Sequence, residues 1–347
     1  MSQTSLEQAR VAVVILNWNG ANMLRQFLPS VLKETPEAEI IVADNASTDD
    51  SIALLEKEFP SVRRILLDRN YGFAEGYNQA LRQVEAEYYL LLNNDVRVSP
   101  GWLRTMLAYL DSHPQEVACQ PKLRCEWAPE MFEYAGASGG YIDRFGYPYC
   151  RGRLLGAVER DEGQYDDIVP VSWATGAALM IRRDVYWQVG GLDGRFFAHQ
   201  EEIDLCWRIR SRGYGIVCIP QSVVYHLGGG TLSKESPRKT YLNFRNNLLL
   251  LYKNMPEETL HSVMRWRFWL DALASFHLLL KGQFQAFLAV WKGRRDFHRM
   301  KSDFRNDRES NLQATLSDVE PVLSSFSLLW QYYVLRHHAF NRLPKMK

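Results

Sequence analysis

The sequence predicts an α/β fold, and three observations carry that expectation. Short apolar runs alternate with stretches of helical periodicity through the first hundred residues. Each run stops at a cluster of Asn and Asp. The apolar fraction, 46% of 347 residues with 23% charged, is that of an ordinary globular chain, which excludes wholesale disorder and fibrous repeats. In order, residues 11–16 (Val-Ala-Val-Val-Ile-Leu) form a buried strand broken by Asn17-Trp18-Asn19-Gly20. A helix follows, with Leu24, Phe27, Leu28, Val31 and Leu32 at 3.6-residue spacing. Residues 39–43 are the second strand, ended by Asp44-Asn45-Ala46-Ser47-Thr48-Asp49, and 51–59 the second helix, with Ile52, Leu55 and Phe59 on one face. A third strand at 65–67, a third helix at 74–84 and a fourth strand at 88–92, ended by Asn93-Asn94-Asp95, complete the alternation. Strands separated by such helices imply right-handed βαβ units and a mostly parallel sheet, with ligands beyond the strands' carboxyl ends.

Further along, residues 125–170 scatter glycines among aromatics and read as loops and short strands shaping a cleft; 171–181 reads as a strand around Gly176. From Tyr241 onward the composition turns helical, rich in Leu, Phe, Trp, Lys and Arg. The Gly-rich, Ser-Pro segment 228–237 is the expected boundary, dividing a body at 1–235 from a helical region at 236–347. The charge divides at the same place. The net charge of +1 argues against an obligate nucleic-acid binder, yet residues 1–230 hold 22 basic and 30 acidic side chains and 231–347 hold 19 and 10. In the second part, Trp266, Phe268, Trp269, Phe276, Phe284 and Trp291 stand among Arg265, Lys281, Lys292, Arg294 and Arg295, with Lys281-Gly282 turning one helix into the next. Such a helix lies in an anionic membrane interface or packs on the body or a second copy of the chain. Five cysteines, irregularly spaced, with no signal-like leader, point to reduced thiols in the cytoplasm rather than a disulfide framework or zinc knuckle. No run of apolar residues is long enough to span a bilayer.

The strand ends are where chemistry is expected. Asp44 and Asn45 can accept from a nucleobase or a sugar hydroxyl, and equally can serve a turn or helix cap. Residues 70–78 (Asn-Tyr-Gly-Phe-Ala-Glu-Gly-Tyr-Asn) offer close backbone approach to a ligand or simply shape a turn, and lack the Gly-x-Gly-x-x-Gly fingerprint. Asp95 at an open strand end suits a hard divalent cation shared with substrate phosphates, provided distant partners join it, and His226 is a candidate partner. Glu201, Glu202 and Asp204 fall in the first turn of a helix, where the dipole favours acids; their mutual repulsion raises one pKa, as suits a general base.

Taken together, residues 14–20, 44–49, 70–78, 92–95, 175–177, 190–193, 196–197, 201–208 and 225–226 resemble family 2 glycosyltransferases of the GT-A fold, especially the rhamnosyltransferase-like branch of surface polysaccharide synthesis. The resemblance spans 11–230 in unbroken order. It implies a GT-A domain that binds a UDP- or dTDP-sugar, with Asp44 on the base, Asn17 and Asn78 shaping the pocket, and Asn45, Asn70, Gly76 and Asn94 completing the nucleotide-sugar site. Asp95 and His226 match the metal-binding positions for Mn or Mg, with Asn93 where the family's first acid stands. Glu202 falls on the base position of the family's Glu-Asp pair, with Glu201 and Asp204 as rivals. The branch also implies inverting single displacement onto a lipid-linked saccharide at the inner membrane face, hence a cytoplasmic, peripherally attached enzyme, in which a homo-oligomer is possible. Two rivals stand beside this reading. A sugar-nucleotide nucleotidyltransferase needs basic residues in a phosphate loop near the first strand, and 17–24 has none. A degenerate glycan-binding protein would not need acids at 95, 201, 202 and 204 together with His226.

Overall fold

The apolar runs become neighbouring strands of one sheet. A computed structural model describes residues 10–228, 236–317 and 322–345; most of the expected boundary segment, 229–235, lies outside these residues. In β1 (Val11–Asn17), Val11, Val13 and Ile15 face one layer of helices while Ala12 and Val14 face the other. Both faces are covered, so the strand reads as a continuous apolar run rather than an alternating one. The chain continues through α1 (Ala21–Glu34), β2 (Glu39–Asp44), α2 (Ser51–Glu58), β3 (Arg63–Leu66), α3 (Gly72–Leu81) and β4 (Tyr88–Asn93). Then come β5 (Val96–Val98), α4 (Trp102–Ser112) and β6 (Glu116–Cys125). A small antiparallel sheet holds β7 (Gly140–Ile142), β8 (Pro148–Cys150), β9 (Arg153–Leu154) and β10 (Ala157–Val158). The main sheet resumes with β11 (Val169–Pro170) and β12 (Ala178–Arg182), and after α5 (Arg183–Gln188) and α6 (Glu201–Ser211) closes with β13 (Gly215–His226).

The main sheet runs in the order β11-β13-β6-β12-β4-β1-β2-β3, with β5 beside β13. Strands β3, β2, β1 and β4 are parallel, β13 is parallel to β6, and β12 runs antiparallel between β4 and β6. The expectation of a mostly parallel sheet holds. One detail differs. The strand expected at 171–181 begins only at Ala178, because the Thr175 amide donates to Gln120 Oε1 at 3.0 Å and the Ala178 amide turns back to the Thr175 carbonyl. The short strands expected within 125–170 are present, and four of them form the small sheet.

Beyond β13 lie α7 (Pro237–Asn254), α8 (Glu257–Leu280), α9 (Phe284–Met300) and α10 (Arg305–Gln313). Leu248, Leu249, Leu250 and Leu251 of α7 are fully buried in the same cluster as Leu179 of β12 and Leu205 of α6. The helical region is therefore built onto the body. Its helices are joined to one another by charge: Arg267 of α8 donates to Asp271 at 3.2 Å, and Arg294 of α9 closes on the other oxygen of the same carboxylate. All three side chains are buried.

Removing one partner of such a cluster leaves an uncompensated buried charge. Asp271→Ala should lower stability by about 3–5 kcal/mol, read as a fall in the urea midpoint, whereas exposed Arg265→Ala should change it by less than about 0.5 kcal/mol. Equal effects of the two would contradict the role given to Asp271.

Candidate active site

Sheet register assembles the site. Asn17 lies opposite Asp44, Leu16 opposite Asn93, and His226 opposite Val96, so the polar ends of β1, β2, β4 and β13 meet along one edge. A cavity of about 320 Å³ opens there, lined by Asn45, Asn70, Asn94, Asp95, His226, Glu201 and Glu202 among others. Trp18, Phe73, Tyr134 and Phe197 add aromatic surface to it. This is a concave, partly apolar pocket with convergent polar groups.

On the sheet side, Asp95 is 3.1 Å from His226 Nε2, and Asn93 Nδ2 is 3.3 Å from the same nitrogen. The other ring nitrogen of His226 is 3.4 Å from Glu133 Oε1, an ion-pair contact without hydrogen-bond alignment. Burial opposes charge on His226, but Glu133 and Asp95 together raise its pKa to about 10. Burial pushes the Asp95 carboxyl up, and the attraction of His226 outweighs it, leaving Asp95 below the usual carboxylate range. Glu133 was not anticipated. It sits in an aperiodic loop, and nothing in the sequence links it to a histidine 93 positions away.

The nucleotide-side expectations divide. Asn45, Asn70 and Asn94 are on the cavity wall. Asn45 Nδ2 donates to Asn70 Oδ1 at 3.2 Å and to the Gly72 carbonyl at 2.9 Å, and its own oxygen accepts from the Tyr71 amide. Asn17 and Asp44 stand directly behind. Asn94 donates to Asn17 Oδ1 (2.8 Å), Asn17 donates to Asp44 Oδ2 (3.0 Å), and the Ser47 amide caps Asp44 Oδ1 (2.8 Å). Two expectations are corrected. Asn78 is spent on the protein: it donates to the Leu192 carbonyl and accepts from Tyr186 Oη, bracing the turn before α6. Gly76 gives room to Asn45 and Leu16, since a Cβ there would lie 3.0 Å from each, and it does not reach the cavity.

The opposite wall is the N-terminus of α6. Glu201 and Glu202 both line the cavity, and each has one oxygen without a hydrogen-bond partner among the described residues. Burial pushes Glu202 up to about 7. Burial and then the neighbouring Glu202 drive Glu201 well above the ordinary range. Gly176 keeps this wall accessible: a Cβ there would fall 3.2 Å from the Phe73 ring and 3.7 Å from the Glu202 Cβ. Asp204, expected as a third candidate base, is corrected. Its carboxylate faces away from the cavity and accepts from Arg208 (2.8 Å), Lys253 (2.8 Å) and Asn254 (2.7 Å). Burial opposes its charge, and Arg208 and Lys253 nevertheless hold it below the usual range.

The segment leading into α6 is strained. Phe197, His199 and Gln200 all adopt positive φ (67°, 69° and 75°), a region costly for residues with a Cβ. Asn246 of α7 holds them, its amide reaching the carbonyls of Phe196, Ala198 and His199 at 2.7–3.0 Å. Arg245 adds a bond to the Phe196 carbonyl at 2.9 Å, and Asn247 one to Gln200 at 3.0 Å. The strain turns His199 into the cavity, where its Nε2 is buried with no hydrogen-bond partner among the described residues. Burial, then Lys239 nearby, lowers its pKa to about 4, so it is neutral. His199 was also missed by the sequence reading, although it stands two residues before the Glu pair.

Comparison with known proteins agrees with this geometry. Residues 12–190 match the family model Glycosyl transferase family 2. The chain is 27% identical over 233 residues to the N-acetylglucosaminyl-diphospho-decaprenol L-rhamnosyltransferase of Mycobacterium tuberculosis (strain CDC 1551 / Oshkosh), covering 62% of this chain and 75% of that one. It is 26% identical over 268 residues to the dTDP-rhamnosyl transferase RfbF of Shigella flexneri, covering 71% and 81%. Among solved structures it resembles GalNAc-T7 with UDP, GalNAc and Mn2+, at a TM-score of 0.57 and 16% identity, covering 92% of this chain and spanning 59% of that one. The fold is thus GT-A-like, and with more than half its length under the family model the chain belongs to glycosyl transferase family 2.

Proposed function

We propose that this glycosyltransferase moves a hexose, rhamnose foremost, from a UDP- or dTDP-sugar to a hydroxyl of a lipid-linked saccharide, with inversion, during synthesis of a cell-surface polysaccharide. One observation carries the reaction type: a single cavity has the Asp95–His226 pair on one wall and the under-bonded Glu201–Glu202 pair on another. Two relatives named as rhamnosyl transferases support the donor sugar, and the diphospho-decaprenol in one of those names supports an acceptor carried by lipid. The five cysteines are free, which supports a reducing, cytoplasmic location.

In this reading Asn45, Asn70 and Asn94 hold the nucleotide-sugar from the sheet side, with Asn17 and Asp44 fixing Asn94 and the loop behind it. Glu202 is the base. Its carboxyl is poised near neutral pH, beside Glu201, whose own carboxyl burial drives well above the ordinary range. Glu202 takes the proton of the acceptor hydroxyl as that oxygen bonds to C1 of the sugar. The bond from C1 to the diphosphate oxygen breaks on the opposite face, and the nucleoside diphosphate leaves.

The donor set at Asp95 fits a divalent cation that takes its remaining ligands from substrate oxygens and water. Among the described residues no three His, Cys, Asp or Glu side chains form a metal cage of their own. Yet His226 presents Nε2 toward Asp95 with a carboxylate, Glu133, behind its other nitrogen, the usual support of a ligating histidine. Asp95 and His226 would hold Mn or Mg, and the ion, when bound, supplies charge to stabilise the departing diphosphate. The GalNAc-T7 structure contains Mn2+, which supports the same choice.

Glu202→Gln should cut kcat by about 10²–10⁴ while leaving nucleotide affinity within about twofold. Full activity in this variant would remove Glu202 from the reaction. For the native protein, kcat should rise with pH through about 7 as Glu202 ionises. Stability should move the other way. The folded-state pKa lies above the unfolded value of 4.5, so Glu202 contributes stability at low pH that is lost as pH rises toward about 7. At about pH 8 Glu202→Gln should therefore melt higher than the native chain, and an unchanged or lower Tm there would contradict the buried, raised carboxyl. Chelation with EDTA should lower turnover, and added Mn or Mg should restore it; turnover indifferent to chelator would end the metal role of Asp95 and His226.

A further inference from the structure

Helix α8 is turned inside out. Its buried face begins with Leu260 and Val263 and then turns polar: Arg267, Asp271 and Ser275 are 1%, 0% and 1% exposed, with Arg267 also reaching the Phe145 carbonyl and Asn247. Its outer face is apolar. Trp266, Trp269, Leu273, Phe276 and Leu280 follow one another at alternating intervals of three and four residues, a single stripe along the helix, and are 56%, 67%, 66%, 54% and 71% exposed. Beyond the Lys281-Gly282 turn, α9 adds exposed Phe284 and Leu288. Scattered exposed apolar residues need no explanation, but a continuous stripe that includes two tryptophans does.

Charge around the stripe has one sign. Arg265, Lys281, Lys292, Arg295 and Arg299 are exposed around it. Between Glu258 and Asp303 the carboxylates are Asp271, fully buried, and Asp296, 17% exposed and held by Arg295 and Arg299. A second copy of this chain docked stripe to stripe would set two cationic rims against each other with no carboxylate between them. An anionic lipid surface answers both features at once: Trp, Phe and Leu enter the headgroup–acyl boundary while Lys and Arg extend to the phosphates. No helix among the described residues is long and apolar enough to cross a membrane, so the stripe can only lie along one.

We propose that the α8–α9 hairpin is a monotopic membrane-docking surface for anionic bilayers, seated by Trp266, Trp269, Leu273, Phe276 and Leu280. The proposal extends the reading of an acceptor carried by lipid, and its test is independent of transfer. The full chain is floated with vesicles of phosphatidylcholine alone and of phosphatidylcholine mixed with phosphatidylglycerol. It should rise with the mixed vesicles, show a blue shift of tryptophan emission there, and be released by salt. Trp269→Ser and Leu273→Ser should each weaken partitioning by about tenfold. Lys281→Glu combined with Lys292→Glu should abolish the preference for phosphatidylglycerol. Failure of the full chain to float with the mixed vesicles overturns the proposal, as does equal binding to both compositions. So does a concentration-dependent dimer, lost in Trp269→Ser, that ignores vesicles. A chain that transfers sugar to a water-soluble saccharide yet ignores vesicles leaves the transferase reading standing and removes this one.

Discussion

A fully buried carboxylate persists only where donors replace the water it has lost, and Asp204 has Arg208, Lys253 and Asn254 doing so at 2.7–3.0 Å. Two of those partners belong to α7, so this one anion locks the helix carrying Glu201 and Glu202 to the first helix of the tail. Lys253 also reaches Asp193, which Arg195 holds from the other side, and the loop between Asp193 and α6 is thereby pinned at both ends. Everything on that wall of the cavity inherits its position from this contact. The strained turn at Phe197, His199 and Gln200 is sustainable because α7 cannot drift away from it.

The cavity itself concentrates acids that do not neutralise one another. Asp95 and Glu133 share His226, but the Glu201–Glu202 pair has no cation of its own among the contacts described. Their raised proton affinities are the cost of burial, and the same burial brings the titration of Glu202 near neutrality, where a surface carboxylate would be permanently ionised.

Much of this was legible because the β3-β2-β1-β4 part of the sheet is parallel and doubly covered. Each apolar run ends where the layer of helices ends, so the change from Val and Leu to Asn and Asp at residues 17, 44 and 93–95 marks the open edge directly. Helical periodicity placed Glu201 and Glu202 in a first turn, as found. The illegible parts depend on partners distant in the chain. Strand β6 carries Gln120, Pro121 and Lys122 through the interior, a pattern unlike a strand until Asp161 is seen to pair with Lys122 at 3.0 Å. Asp204 looks like one more acid beside the Glu pair until Lys253 and Asn254 arrive from about fifty residues downstream. His199 and Glu133 sit in loops, where no periodicity announces a side chain's direction. For α8, composition revealed aromatics among cations; it did not reveal that the polar face was the one turned inward.

That inversion has a consequence for when the surface comes into being. Isolated from the body, α8 is an amphipathic peptide like any other, free to bury either face against whatever is near. Its outward orientation is decided only when Asn247, Arg294 and the Phe145 carbonyl have closed on Arg267 and Asp271. Those partners come from β7's neighbourhood, α7 and α9, so the stripe is not displayed by a nascent segment as it emerges. It is displayed by a finished protein, and the docking proposed for it would certify completed folding.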